Sequence, residues 1–154
     1  MRTPQWIKKL GGHAGELYVA TELSKRGIAN SLLPENFLDD DIQIGAKVGK
    51  HLDDIQVKAC HPDRSKSFIL RENYESWAEF VKNQYVIFIW LGSPLKIQSL
   101  RYWIASKKDV GKTYIEHHAQ GISNWERRFG LNILNPEWEN NWDLFKKFIP
   151  VLIK

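Results

Sequence analysis

The stretch QYVIFIWL, residues 84–91, constrains the fold of this chain more than any other. It is a continuous run of β-branched and aromatic residues, and it ends at Gly92-Ser93-Pro94, which favour a turn. The run is far shorter than the ~20 apolar residues of a membrane-spanning helix, so it predicts a buried β-strand. A second stretch, SLRYWIAS at residues 99–106, predicts another strand. We expect the two strands to lie side by side across the connection GSPLKIQ.

The elements on either side of these strands predict an α/β fold. An apolar face predicts a helix at residues 12–25, which ends at Gly27 after the basic pair Lys25 and Arg26. A strand follows at residues 30–33, then a hairpin at residues 39–60. Residues 67–73 are ambiguous, and residues 75–81 favour one or two helical turns. The expected order is α-β-β-β-(α)-β-β-α.

The segment NPEWENNWDLFKKFI predicts a terminal helix at residues 135–149. Asn135 is a suitable cap and Pro136 suits the first helical position. Trp138, Trp142, Phe145 and Ile149 recur at helical spacing and predict one apolar face. No other motif is assigned beyond residue 107.

Composition bounds the possibilities but does not select a function. The 154 residues suit one domain, with a core at about 12–106 and an extension at about 107–154. Cys60 is the only cysteine, so an intrachain disulfide is impossible, and a reducing, cytoplasmic location is the simplest expectation. No apolar run predicts a membrane span. The net charge of +4 permits a polyanionic partner such as nucleic acid without requiring one.

The hairpin separates apolar from polar side chains. Gly49 at the first central position of Val48-Gly49-Lys50-His51 predicts a type II′ turn. In that register Ile44 faces Ile55, Gln43 faces Gln56, Ile42 faces Val57 and Asp41 faces Lys58. Because side chains alternate, the isoleucines and Val57 form a buried face and the other four form a polar face. A solvated face with an ordinary Asp–Lys pair explains the same pattern, and a bulge at Gly45 would shift the register.

Glu16 lies in the middle of the apolar face of the first helix. Gly12, Val19, Ala20, Leu23 and Gly27 fall within about 60° of it on a helical wheel. An inward carboxylate requires a cation, a metal ion or a hydrogen-bond donor, and Lys58 or a metal ion at Asp41 would meet that need. The alternative is that Glu16 lies in the first turn and reaches solvent.

These residues together resemble the PD-(D/E)XK nuclease superfamily, which has the restriction-endonuclease-like fold. The family pattern is an acid on the first helix, an aspartate at one strand of a hairpin and an (E/Q)-x-K motif on the next. It matches Glu16, Asp41 and Gln56-Val57-Lys58 here, over residues 12–106. The resemblance implies a central mixed sheet flanked by helices, with core order α-β-β-β-α-β.

The resemblance also implies roles. Asp41, Gln56 and the Val57 carbonyl would bind Mg²⁺ or Mn²⁺, Lys58 would position or activate water, and Glu16 would orient water or a ligand. Gln56 replaces the more common carboxylate, which lowers the expected metal affinity. Asp40 is an alternative to Asp41, although it would point to the apolar side in this register. Asp54 shares the Gln56 face as a substitute or a decoy, and Asp53 lies opposite.

The predicted function is a metal-dependent nuclease acting on nucleic acid, with DNA as the expected substrate. The alternatives are an inactive nucleic-acid-binding module of the same fold and an oligomeric structural protein. Dimerisation suits the cutting of two strands. The candidate nucleic-acid contacts are Trp125, Arg127, Arg128, Lys107 and Lys108, with Lys8, Lys9 and Lys112 as further basic residues. Core packing is the more common use of a tryptophan such as Trp125, and solubility explains the surface lysines equally well.

Overall fold

A mixed β-sheet with helices on both faces organises the chain. The computed structural model describes residues 4–34, 40–45, 52–60, 67–69, 74–79, 84–92, 100–119, 128–130 and 134–149. The helices are α1 (Gln5–Lys25) and α2 (Lys107–Ala119). The strands are β1 (Asn30–Leu32), β2 (Ile42–Ile44), β3 (Asp53–Cys60), β4 (Ser67–Ile69), β5 (Gln84–Trp90), β6 (Arg101–Ser106) and β7 (Arg128–Gly130). In this part of the chain the main sheet has the order β1-β2-β3-β5-β6, and β4 pairs with β7.

The central strands explain why the sheet is mixed. β3 and β5 run parallel, whereas β2 with β3 and β5 with β6 are antiparallel. The apolar run of β5 is buried from Val86 to Ile89 because helices cover both of its faces. The predicted α/β class, the central mixed sheet and the neighbouring positions of β5 and β6 are therefore confirmed. The segment between β4 and β5 forms a 3₁₀ helix, Tyr74–Glu79, at the place where a short helix was expected.

Helix α1 begins earlier than the sequence pattern predicts, at Gln5, and ends as predicted. Gly27 has φ 77°, a conformation that glycine adopts without strain. Its amide donates to the Ser24 carbonyl, and the Ile28 amide donates to the Leu23 carbonyl. These two hydrogen bonds form a Schellman motif, which ends the helix and directs the chain into β1.

The hairpin has the predicted faces but not the predicted register. Ile42 pairs with Ile55 and Gln43 with Asp54, two residues away from the expected pairing. A shift of two keeps every side chain on its face, so alternation alone cannot distinguish the two registers. In the observed register Leu52 lies beside Gly45, and its side chain occupies the space that a Cβ atom at residue 45 would need. The predicted turn at 48–51 lies outside the described residues.

Two hydrophobic layers cover the two faces of the sheet. On the α1 side, Val19 and Leu23 pack against Ile55, Ile87 and other strand residues. On the α2 side the layer is aromatic, and Phe68 contacts the rings of Phe88 and Trp103. Within the described residues, both faces of the central strands are therefore covered by apolar side chains.

The C-terminal region differs from the prediction. Helix α2 was not expected, and the predicted terminal α-helix is two 3₁₀ segments, Pro136–Trp138 and Trp142–Phe148. Asn135 caps the first segment as predicted, accepting from the Glu137 amide at 3.0 Å. The break follows from tertiary contacts, since Glu139 bridges to β6 and the Asn140 amide donates to the Tyr102 carbonyl. The aromatic positions are still buried, whereas Ile149 is exposed.

Candidate functional site

Asp41 is fixed at the beginning of β2 by two hydrogen bonds to β3. Its backbone amide donates to the Ile55 carbonyl at 2.9 Å. Its Oδ2 atom accepts from the Val57 amide at 2.7 Å. These bonds flank Gln56, so the Asp41 carboxylate lies against the first half of the (E/Q)-x-K motif. The chain bends at Asp41 before β2 begins, which removes Asp40 and Asp41 from the simple alternation of the strand.

Glu16 reaches the same place from α1. The preceding residue, Gly15, is buried against the sheet, and a Cβ atom there would lie 2.8 Å from the Cβ of Ala59 and 3.2 Å from Cγ2 of Ile89. This close approach brings the half-buried Glu16 side chain into a hydrogen bond with the Asp41 carboxyl group. The expected inward orientation of Glu16 is therefore correct, and its immediate partner is Asp41.

The Asp41 carboxyl group has a raised pKa. Burial is the largest cause, and the charge of Asp40 acts in the same direction. The Val57 amide, the charge of Lys58 and the Glu16 hydrogen bond lower the pKa without reversing the net effect. Two carboxyl groups share a hydrogen bond only when a proton lies between them. The pair is thus arranged to accept a positive charge, either a proton or another cation.

Lys58 and Gln56 extend this site along β3. Lys58 is close enough to Asp41 to lower its pKa, and its side chain is half-buried. Gln56 is 4% exposed and lies on the same strand face as Lys58. We use the name α1–β3 site for Glu16, Asp41, Gln56, Val57 and Lys58. The described contacts bring Glu16, Asp41, Lys58 and the Val57 backbone together, and Gln56 is buried beside them.

A buried ion pair adjoins the α1–β3 site, and it was missed in the sequence. Lys107 Nζ lies 3.1 Å from Asp40 Oδ1, with the two side chains 5% and 8% exposed. The ammonium group also lies 5.2 Å from the centre of the Trp77 ring. The expectations that Lys107 is a surface lysine and that Asp40 points to the apolar α1 side are wrong. The nearest sequence signal is the run of three aspartates at 39–41, which is difficult to bury without a cation.

The remaining acids of β3 have other partners. Asp54 shares a strand face with Gln56 as predicted, and it hydrogen-bonds with Gln43. Burial raises the pKa of Asp54, and its Oδ1 atom has no hydrogen-bond partner among the described residues. Asp53 lies on the opposite face, as predicted, where its Oδ2 atom is 3.2 Å from Lys147 Nζ.

The predicted nucleic-acid contacts are distributed unevenly. Trp125 and Arg127 lie outside the described residues, and of Arg128 only the backbone position in β7 is described. Lys108 and Lys112 are exposed on α2, and Lys8 and Lys9 are exposed on α1.

Comparisons with known proteins leave the family open. No protein-family model matches the chain, and no curated protein resembles it significantly. Within the described residues, no group of three or more histidine, cysteine, aspartate or glutamate side chains is arranged to hold a metal ion. A search of the same residues finds no helix with the length and hydrophobicity of a membrane span. The α1–β3 site therefore has to be interpreted from its own chemistry.

Proposed function

We propose that the chain is a metal-dependent nuclease that hydrolyses phosphodiester bonds in nucleic acid, with DNA as the expected substrate. One observation carries the proposal: the Asp41 carboxyl, held 2.7 Å from the Val57 amide, meets Glu16 on one side and Lys58 on another. Carboxylates beside a lysine are the groups that metal-assisted phosphodiester hydrolysis needs.

The residues of the α1–β3 site fit Mg²⁺ or Mn²⁺. The half-buried Asp41 carboxyl group lies in hydrogen-bond contact with Glu16, and a divalent cation would neutralise both carboxylates. The amide and carbonyl of one strand residue face the same edge, so the Val57 carbonyl points toward the Asp41 side. Asp41, Gln56 and the Val57 carbonyl would therefore hold the ion, and Glu16 would orient water or a ligand beside it. When bound, the ion neutralises phosphate charge and lowers the pKa of water.

The protein groups perform the remaining tasks. Lys58 supplies a fixed positive charge that attracts the scissile phosphate and stabilises the charge that develops on its oxygens. The Val57 amide fixes the Asp41 carboxylate by donating a hydrogen bond to its Oδ2 atom. Glu16 accepts a proton or orients water at the opposite side of Asp41.

One feature favours the alternative of an inactive nucleic-acid-binding module. The neutral Gln56 occupies a position where a carboxylate would add charge, and the described site has only two acids in direct contact. Phosphate binding by Lys58 and other basic residues would persist without metal binding. The two functions differ in their dependence on a divalent cation.

The decisive experiment is cleavage of labelled single-stranded and duplex DNA and RNA with Mg²⁺, Mn²⁺ or chelator. The wild type is compared with Asp41→Asn and Lys58→Met, which change charge at nearly constant volume. The exposed residues Asp143 and Lys146 give matched controls, Asp143→Asn and Lys146→Met. Circular dichroism verifies that all five proteins are folded.

Metal-dependent cleavage that falls at least ~100-fold in both site variants and in neither control would support the nuclease. Absence of cleavage by folded wild type with either metal, on every substrate, would contradict it. Salt-sensitive binding without cleavage would then support the binding module.

A further inference from the structure

The first part of α1 is accessible to solvent. Among residues 5–14, which we call the helix overhang, those with described side chains are exposed or half-buried. A Cβ atom added at Gly11 or Gly12 would have no atom within 4 Å, whereas one at Gly15 would collide with the sheet. Among these glycines of α1, the one in close contact with the described part of the sheet is Gly15, the residue before Glu16.

The helix overhang is positively charged. Lys8 and Lys9 are exposed, and residues 5–15 contain no acid. The first turn has no acidic side chain and no side-chain cap, so the positive end of the helix dipole is uncompensated. Two aromatic or aliphatic side chains project from the same segment, with Trp6 64% and Leu10 57% exposed.

The lysines are aligned with the site. Lys9 precedes Glu16 by seven residues, which places the two within ~20° on the helix and ~10 Å apart along its axis. Lys8 likewise precedes Gly15 by seven residues. It therefore lies on the same side of the helix as Gly15, which contacts the sheet. A distance of ~10 Å corresponds to about three base steps of a nucleic-acid strand.

We propose that the helix overhang is a nucleic-acid-binding track that leads one strand to the α1–β3 site. Lys8 and Lys9 contact phosphates a few nucleotides from the scissile bond, and the exposed Trp6 ring stacks on a base. The charge of the segment favours a nucleic acid over a protein that would cover only the apolar residues. This inference rests on the proposed nuclease function and adds the path of the substrate.

The test measures binding of fluorescein-labelled single-stranded and duplex DNA by anisotropy, in chelator, over a series of salt concentrations. The double variant Lys8→Ala/Lys9→Ala is compared with Lys25→Ala/Lys146→Ala, which removes the same charge from exposed positions elsewhere. Alanine favours helix formation, so Lys8→Ala/Lys9→Ala, which we call the track variant, is expected to fold. Trp6→Ala tests stacking, and size-exclusion chromatography with light scattering monitors self-association.

We expect the track variant to lose at least about tenfold in affinity, and its log–log salt slope to fall by ~1.4 on a single strand. We expect Trp6→Ala to weaken binding without changing that slope, and the control pair to bind as wild type does. Amides of the helix overhang should gain protection from hydrogen exchange when DNA is added.

Equal losses in the track and control variants would overturn the proposal, because they would show only an effect of net charge. Unchanged binding in the track variant would also overturn it, as would a Trp6→Ala variant altered only in its oligomeric state. Because binding is measured in chelator, these outcomes do not depend on cleavage. Wild type that binds through Lys8 and Lys9 but never cleaves would refute the nuclease and retain the track.

Discussion

Gly15 is the contact on which the position of Glu16 depends, and two glycines of α1 provide a matched test. A Cβ at Gly15 would lie 2.8 Å from the Cβ of Ala59, an atom fixed to the β3 backbone that no rotamer can move. A Cβ at Gly12 would meet nothing within 4 Å. Both positions lie inside α1, so replacement by alanine gives both variants the same type of gain in helix propensity, about 1 kcal/mol.

Gly15→Ala should therefore lose stability relative to Gly12→Ala. Overpacking a close contact costs about 1–3 kcal/mol, and the shared propensity gain cancels in the comparison. We expect Gly12→Ala to be up to ~1 kcal/mol more stable than wild type and Gly15→Ala to be ~0–2 kcal/mol less stable. For a chain of this length, the difference corresponds to roughly 2–4 °C in Tm per kcal/mol.

Urea unfolding followed by circular dichroism measures the difference, with equal m values required for the comparison. Because displacement of α1 would also separate Glu16 from Asp41, cleavage by folded Gly15→Ala should fall while Gly12→Ala remains active. Equal stabilisation by both alanines would refute the reasoning, since it would mean that α1 does not contact the sheet at Gly15.

Four further predictions concern buried groups. Burial, followed by the charges of Glu22 and Tyr18, raises the pKa of Tyr102 to about 12. The unfolded chain therefore loses this proton near pH 10, before the native protein does, and the free energy of unfolding should fall as the pH rises from 10 to 12. The free energy of unfolding should fall by up to ~3 kcal/mol over this range, and by less in Tyr102→Phe. An equal fall in wild type and Tyr102→Phe would contradict the prediction. Burial also raises the pKa of the Cys60 thiol. The native protein should therefore react with iodoacetamide ~100-fold more slowly than the urea-unfolded protein. Equal rates would show that the thiol is not buried. Phe145→Ala should cost about 3–5 kcal/mol in urea unfolding because the ring is fully buried, whereas a loss below ~1 kcal/mol would show that it is not. Lys107→Met should cost about 3–5 kcal/mol by leaving Asp40 buried without its ion-pair partner, and adding Asp40→Asn should restore most of that loss; an unrescued double variant would refute the pairing.

Local patterns predicted much of the fold. The apolar run of β5 and the positive-φ glycine that ends α1 are encoded by neighbouring residues, so both appear in the sequence as they do in the structure. The terminal helix failed for the opposite reason. Its spacing is helical, but the contacts of Glu139 and Asn140 with β6 break the segment in two, and no local pattern records such distant partners.

The sequence predicted which polar residues lie close together better than it predicted how their strands pair. Motif spacing identified Glu16, Asp41 and Lys58, which the structure brings together. The predicted hairpin register was wrong by two residues. Side chains alternate with a period of two along a strand, so a shift of two residues leaves the pattern of faces unchanged. The ion pair of Lys107 with Asp40 joins residues 67 apart in sequence. The local sequence around either residue does not indicate which residue is its partner.

The sequence by itself determined the five strands of the main sheet, the end of α1, the polar face of the hairpin and the inward position of Glu16. These features follow from side-chain periodicity and backbone preference, which act over a few residues. The tertiary structure alone decided the register, the depth at which α1 rests on Ala59 and the contact between Glu16 and Asp41. Those depend on distances between segments remote in sequence, where close packing selects one arrangement among several that the same local pattern permits.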